Sequence, residues 1–167
     1  VVMVKYVDTL VGFREFPKEV ALCINISGCP NHCIGCHSSY LAEDIGTELT
    51  KEELERLINA NSGISCVGFM GGDQDPAYIN ELARFVKLRF FGVKTGWYSG
   101  KQELSKDIEL YNWDYIKLGP YIEELGPLNS PTTNQRFYEF HPLYSNYTIG
   151  PGWKDETSQF WKNDKNL

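Results

Sequence analysis

Three of the five cysteines, Cys29, Cys33 and Cys36, fall within eight residues in a C-x3-C-x2-C spacing. Thiolate is the soft ligand that iron–sulfur clusters select, and three of them on one short loop can hold three corners of an iron–sulfur cube. A fourth cysteine is missing from the loop. Cys23, six residues upstream, and Cys66 both lie inside apolar runs and read as small core-filling residues. An electron-carrying ferredoxin takes four cysteines per cluster, so a trio leaves one iron open to an exogenous ligand. Zinc is the competing metal, with His32 or His37 completing the set. Structural zinc sites usually pair two separated ligand knuckles, however, and no second knuckle is visible. An odd cysteine count and a close-set trio, with no signal-peptide pattern over residues 1–8, point to a reduced, cytoplasmic setting rather than to disulfides.

The elements that must position this loop alternate in type. An apolar run at residues 20–27 reads as a strand feeding the cysteines. A helix follows at residues 50–61, with Thr50 and Glu53 in capping-box spacing and Leu54, Leu57 and Ile58 on one face. Residues 64–70 read as a buried strand. It runs into Gly71-Gly72 and a second helix that begins near Pro76 and carries Ile79, Leu82, Ala83 and Val86. Further strands are expected at residues 93–99, at Tyr115–Leu118 and at Arg136–Phe140, the last after a proline- and glycine-broken loop over residues 119–133. This alternation predicts βα units around a mostly parallel sheet. The cysteine loop, Gly71-Gly72-Asp73, Ser99-Gly100 and Gly119-Pro120 then all follow strand C-termini, the edge where parallel α/β sheets bind ligands.

Composition narrows the partners. The chain has 167 residues, 42% of them hydrophobic, with 16 Lys and Arg against 22 Asp and Glu, a formal net charge of -6. A domain of this size builds its core without disulfides or a structural metal, so a metal here implies function. Neither nucleic acid nor membrane is an expected partner: basic residues are not clustered, and apolar runs such as residues 20–26 fall far short of the roughly 20 needed to span a bilayer.

The ordered succession Ile26-Ser27-Gly28-Cys29, Gly63-Ile64, Gly71-Gly72-Asp73 with Pro76, Tyr98-Ser99-Gly100 with Glu103-Leu104, and Thr132-Thr133-Asn134-Gln135-Arg136 is more specific than any one piece. The chain resembles the radical S-adenosylmethionine enzymes, and within them the activating proteins of anaerobic (class III) ribonucleoside-triphosphate reductase, from about residue 20 to residue 140. The resemblance implies an α/β fold, a partial (βα) barrel of the radical SAM type with one open side. It would be a single domain over residues 1–167, with residues 141–167 as a C-terminal tail. It implies a [4Fe-4S] cluster on Cys29, Cys33 and Cys36 whose open iron chelates S-adenosyl-L-methionine. It implies an oxidoreductase that cleaves this cofactor reductively to a 5′-deoxyadenosyl radical and removes a glycine α-hydrogen from the reductase catalytic subunit. A flavodoxin or ferredoxin would supply the electron.

Gly71, Gly72 and Asp73 match the family's glycine-rich turn near the methionine amino group, and a Cβ at Gly72 would obstruct that approach. Gly35, Cys36 and His37 match the stretch beside the adenine, with His37 in place of the usual aromatic. The acidic position of the turn falls on Asp73 or Asp75, because Asp73-Gln74-Asp75-Pro76 is longer than the family's compact version, and Leu118-Gly119 replaces a common Asp-Gly. Asn134, Gln135 and Arg136 match a signature that also suits capping of the last strand. Lys94, Lys101 and Lys117 are candidate carboxylate or ribose contacts, though a solvated lysine is the expectation for each. Trp153, Phe160 and Trp161 could share a helical face that docks on a partner or packs on its own domain. Two alternatives stay open: activation of another glycyl radical enzyme of the pyruvate formate-lyase type, and a non-catalytic cysteine metal or redox module.

Overall fold

The computed structural model describes residues 4–31, 33 and 39–161. The elements, in chain order, are β1 (Lys5–Gly12), β2 (Ala21–Ile26), β3 (Thr47–Glu48), α1 (Lys51–Ala60), β4 (Cys66–Met70), α2 (Pro76–Arg89), β5 (Lys94–Tyr98), β6 (Tyr115–Leu118), β7 (Arg136–Phe140) and β8 (Trp153–Asp155). All eight strands belong to one sheet in the order β3-β1-β2-β4-β5-β6-β7-β8. The expected βα units are present at its centre, where β2, β4, β5 and β6 run parallel. The expected mostly parallel sheet is not. Among the described residues β1–β2, β1–β3, β6–β7 and β7–β8 are antiparallel, four of seven pairings. A parallel neighbour needs a crossover, normally a helix. The connection from β5 to β6 crosses over with only a short 3-10 turn at Leu110–Asn112, whereas the loop from β6 to β7 makes no crossover, and β7 returns beside β6 in the opposite sense.

The two helices form where the sequence marks them. Thr50 Oγ1 accepts from the Glu53 N–H at 3.0 Å to start α1, and Asp75 Oδ1 accepts from the Tyr78 N–H at 3.2 Å to start α2, with Pro76 in its first turn. Leu54, Leu57 and Ile58 of α1 and Ile79, Leu82, Ala83 and Val86 of α2 are buried against Leu22, Ile24, Ile26, Val67 and Phe69 of the sheet. No helix is long and apolar enough to cross a membrane among the described residues.

The other face of the sheet positions the site. Strand alternation puts Cys23, Gly68, Gly96 and Tyr115 in one register row across the four parallel strands, and Asn25, Met70, Tyr98 and Lys117 in the next row toward the C-terminal edge. The ring of Phe16, fully buried, fills the first row over the two glycines: a Cβ on Gly68 would lie 2.2 Å from its Cε2, and one on Gly96 2.1 Å from its Cε1. Tyr98, Tyr115 and Phe137 surround that ring at centroid distances of 5.2, 5.8 and 6.1 Å. The second row is left as the floor of a cavity. The tail does not form the expected helical face. Trp153 lies in β8, buried against Phe140, and Phe160 meets Phe137 edge-on at 5.0 Å.

Candidate metal centre

The cysteine loop leaves β2 on a fixed arm. Ser27 donates its N–H to Lys5 O at 2.9 Å and its hydroxyl to Ile45 O at 2.5 Å, Gly28 N–H donates to Glu43 O at 3.0 Å, and Cys29 N–H to Leu41 O at 2.8 Å. Gln74, from the far side, donates to Ser27 O at 2.7 Å. Cys29 and Cys33 emerge from this arm as half-buried free thiols on a cavity of about 220 Å³. Cys36, with Gly35, His32 and His37, lies outside the described residues.

The three other strand-end loops complete the wall. Gly71 and Gly72 have φ of +114° and +98°, the left-handed region that glycine tolerates. The missing Cβ of Gly72 points at α2, 2.5 Å from Ile79 Cδ1, so helix packing by itself requires glycine there, whereas Gly71 borders the cavity. Asp73 is buried and faces inward. Its Oδ1 accepts from Ser99 Oγ at 2.6 Å, and its Oδ2 accepts from Gly100 N–H at 2.8 Å and from Asn31 Nδ2 at 2.7 Å. Asp75, by contrast, is engaged as the cap of α2. The two acidic residues left open by the sequence thus separate into one at the cavity and one in the helix.

Of the three candidate lysines, only Lys117 reaches the cavity, and it is buried rather than solvated. Its Nζ donates to Ser99 O at 2.9 Å and Gly119 O at 3.0 Å and sits 5.5 Å from the centre of the Tyr98 ring, so it ties the ends of β5 and β6 together within the floor. Lys94 pairs with Glu19 at 3.5 Å at the opposite strand ends, and the exposed Lys101 contributes main chain, its carbonyl accepting from Gly119 N–H. Gln135 lines the cavity and donates to Gly119 O at 3.3 Å. Asn134 donates to Pro120 O at 3.1 Å, and Arg136 pairs with Asp155 at 3.6 Å; both tether the last strands.

The remaining cysteines are of a different kind. Burial, with Glu15 nearby, pushes the Cys23 thiol up to about 12, and burial, with Glu19 and Asp114 nearby, raises Cys66 well above the ordinary thiol range. A thiol that stays protonated is a poor metal ligand. Sequence reasoning missed Asn31. Its amide also lies 3.6 Å from Cys29 Sγ, and its position inside the cysteine loop was the available signal.

The sequence profile of a family described as "4Fe-4S single cluster domain" matches residues 18–117, more than half of the chain. The chain belongs to this family. The 4Fe-4S single cluster domain here runs from just before β2 into β6, which takes in the cysteine loop and the turns at Gly71-Gly72-Asp73 and Ser99-Gly100 and stops just short of Gly119-Pro120. Comparison with curated proteins and with solved structures gives no match. The residues present fit such a cluster. Cys29 and Cys33 are half-buried thiols without a disulfide that line one cavity, while Cys23 and Cys66 are sealed in the core. Thiolates suit zinc as well as iron–sulfur clusters, and it is the family match that decides for iron–sulfur over the zinc alternative.

Proposed function

We propose that this 4Fe-4S single cluster domain is a radical S-adenosylmethionine activase that installs a glycyl radical on the catalytic subunit of anaerobic ribonucleoside-triphosphate reductase. The observation that carries the reading is the convergence of the cysteine loop with Gly71, Asp73, Gly100 and Gly119 on one cavity at the C-terminal edge of four parallel strands. A cluster held by Cys29, Cys33 and Cys36 supplies, when bound, an open iron for S-adenosylmethionine and one electron for the reductive cleavage of its sulfonium.

The chain's own residues bind and shield. Asp73 has three of its about four acceptor positions filled by the chain, which leaves one for a cationic amino group. Met70 and Tyr98 give the floor an apolar surface that excludes water, and the buried Lys117 beside them places a positive charge in the floor that favours an anionic group above. The four parallel strands are the core of the partial barrel in this reading, and a sheet that does not close leaves a side through which a partner's glycine loop enters. One observation favours a plain electron carrier instead: Gly72 and most of the acceptor capacity of Asp73 are already accounted for by the chain's own packing and hydrogen bonds.

Anaerobic reconstitution, reduction with flavodoxin, ferredoxin or dithionite, and assay for 5′-deoxyadenosine separate the two. The activase reading expects 5′-deoxyadenosine, and with the reductase present a glycyl-radical doublet in the electron paramagnetic resonance spectrum. Cluster-loaded protein that cleaves no S-adenosylmethionine contradicts it. Cleavage with a radical formed only on a pyruvate formate-lyase type partner would keep the chemistry and reassign the substrate.

A further inference from the structure

The Asn31 amide makes two contacts that the site's main features do not explain. Its nitrogen lies 2.7 Å from Asp73 Oδ2 and 3.6 Å from Cys29 Sγ. A carboxamide NH2 carries two hydrogens, so one group serves both acceptors. The amide cannot be turned over without cost, because Asp73 is an acceptor and would then face the amide oxygen. Asp73 is itself held by the Ser99 hydroxyl and the Gly100 N–H, both just beyond β5, so the orientation of Asn31 is set by the end of the sheet rather than by its own loop. Gly100 provides the room: a Cβ there would lie 2.5 Å from Asn31 Nδ2.

We infer that Asn31 is a positioning residue that raises the reduction potential of the cluster, by donating an oriented N–H to the Cys29 sulfur while Asp73 holds the amide in place. A hydrogen bond to a ligating sulfur stabilises the form of the cluster carrying the extra electron, and outer groups of this kind tune metal sites through their ligands. The inference rests on the cluster and not on S-adenosylmethionine cleavage. It gives a redox role to a loop residue that a purely structural tether would not have.

The test is a redox titration of reconstituted protein without S-adenosylmethionine, comparing wild type with Asn31→Leu, which removes the donor, and Gly100→Ala, which displaces it and leaves every polar group in the chain. Both variants are expected to carry full iron and sulfide and to be reduced at a lower midpoint potential than wild type. If Asn31→Leu fails to hold a cluster, Gly100→Ala decides. Unchanged or raised potentials in cluster-loaded variants overturn the inference, and so does loss of the cluster from both, which would make Asn31 a tether alone. A lowered potential in a protein that cleaves no S-adenosylmethionine keeps this inference and sinks the activase reading.

Discussion

Phe16 occupies the space that Gly68 leaves empty: the ring edge lies where a Cβ at that glycine would come within 2.2 Å of it. The pair lies directly beneath the cavity floor, because Gly68 and Met70 are alternate residues of β4 on the same face and the Phe16 ring also meets Tyr98. Phe16→Ala is therefore expected to cost about 3–5 kcal/mol in urea unfolding, as a buried aromatic lost from a packed site. Gly68→Ala, by overpacking, should cost about 1–3 kcal/mol. If the cavity takes S-adenosylmethionine as proposed, its affinity should fall with Phe16→Ala, since Tyr98 loses its support.

The four cysteines among the described residues should separate into two chemical classes. In metal-free folded protein near neutral pH, maleimide is expected to label Cys29 and Cys33 and to leave Cys23 and Cys66 unmodified until denaturant is added. The same burial gives a pH dependence. Cys23 has a folded value of about 12 against an ordinary value of 9.0, so between these the folded state holds a proton that the unfolded chain has released. Stability is thus full below about pH 9 and falls as pH rises toward 12, by linkage. Cys66 and Tyr98, both raised by burial, add in the same direction. Unfolding midpoints measured from pH 7 to 11 should decline on the alkaline side, less steeply in Cys23→Ala; a midpoint that rises over that range contradicts the assignment.

Asp73 and Asp75 should give opposite signatures. Asp75→Ala removes a helix cap and is expected to cost about 1 kcal/mol, with the cluster's spectrum unchanged. Asp73→Ala strands the Ser99 hydroxyl, the Gly100 N–H and the Asn31 amide, costs about 1–3 kcal/mol, and changes the spectrum of the reduced cluster through Asn31. Chemical denaturation together with paramagnetic resonance on each variant reads both effects.

Local signals carried much of this fold. The capping box at Thr50 and Pro76 opening α2 are short-range marks, and both helices start where those marks fall. The four strands that end at the cavity were legible as apolar runs bounded by glycine turns. What was not legible depends on a distant partner. β1 exposes Leu10 and shifts register between Tyr6 and Asp8, so it lacks clean alternation and exists because β2 pairs with it. β8 is three residues long, and its pairing with β7 overrides the helical spacing of Trp153 and Phe160. The antiparallel half of the sheet was missed for the same reason, because strand direction follows from crossovers that no local window contains. At the site, the cysteine spacing announced a metal centre, whereas the roles of Asn31 and Lys117 emerge only once residues far apart in the chain meet.

The central claim is a cluster held by three cysteines with one iron left open. Mössbauer spectroscopy of protein reconstituted with ⁵⁷Fe, recorded with and without S-adenosylmethionine, tests it most directly. The account predicts that one iron, about a quarter of the signal of a four-iron cluster, moves to a higher isomer shift when S-adenosylmethionine is added, as nitrogen and oxygen replace its solvent ligand. A spectrum of four sulfur-ligated irons that does not respond to S-adenosylmethionine would contradict it.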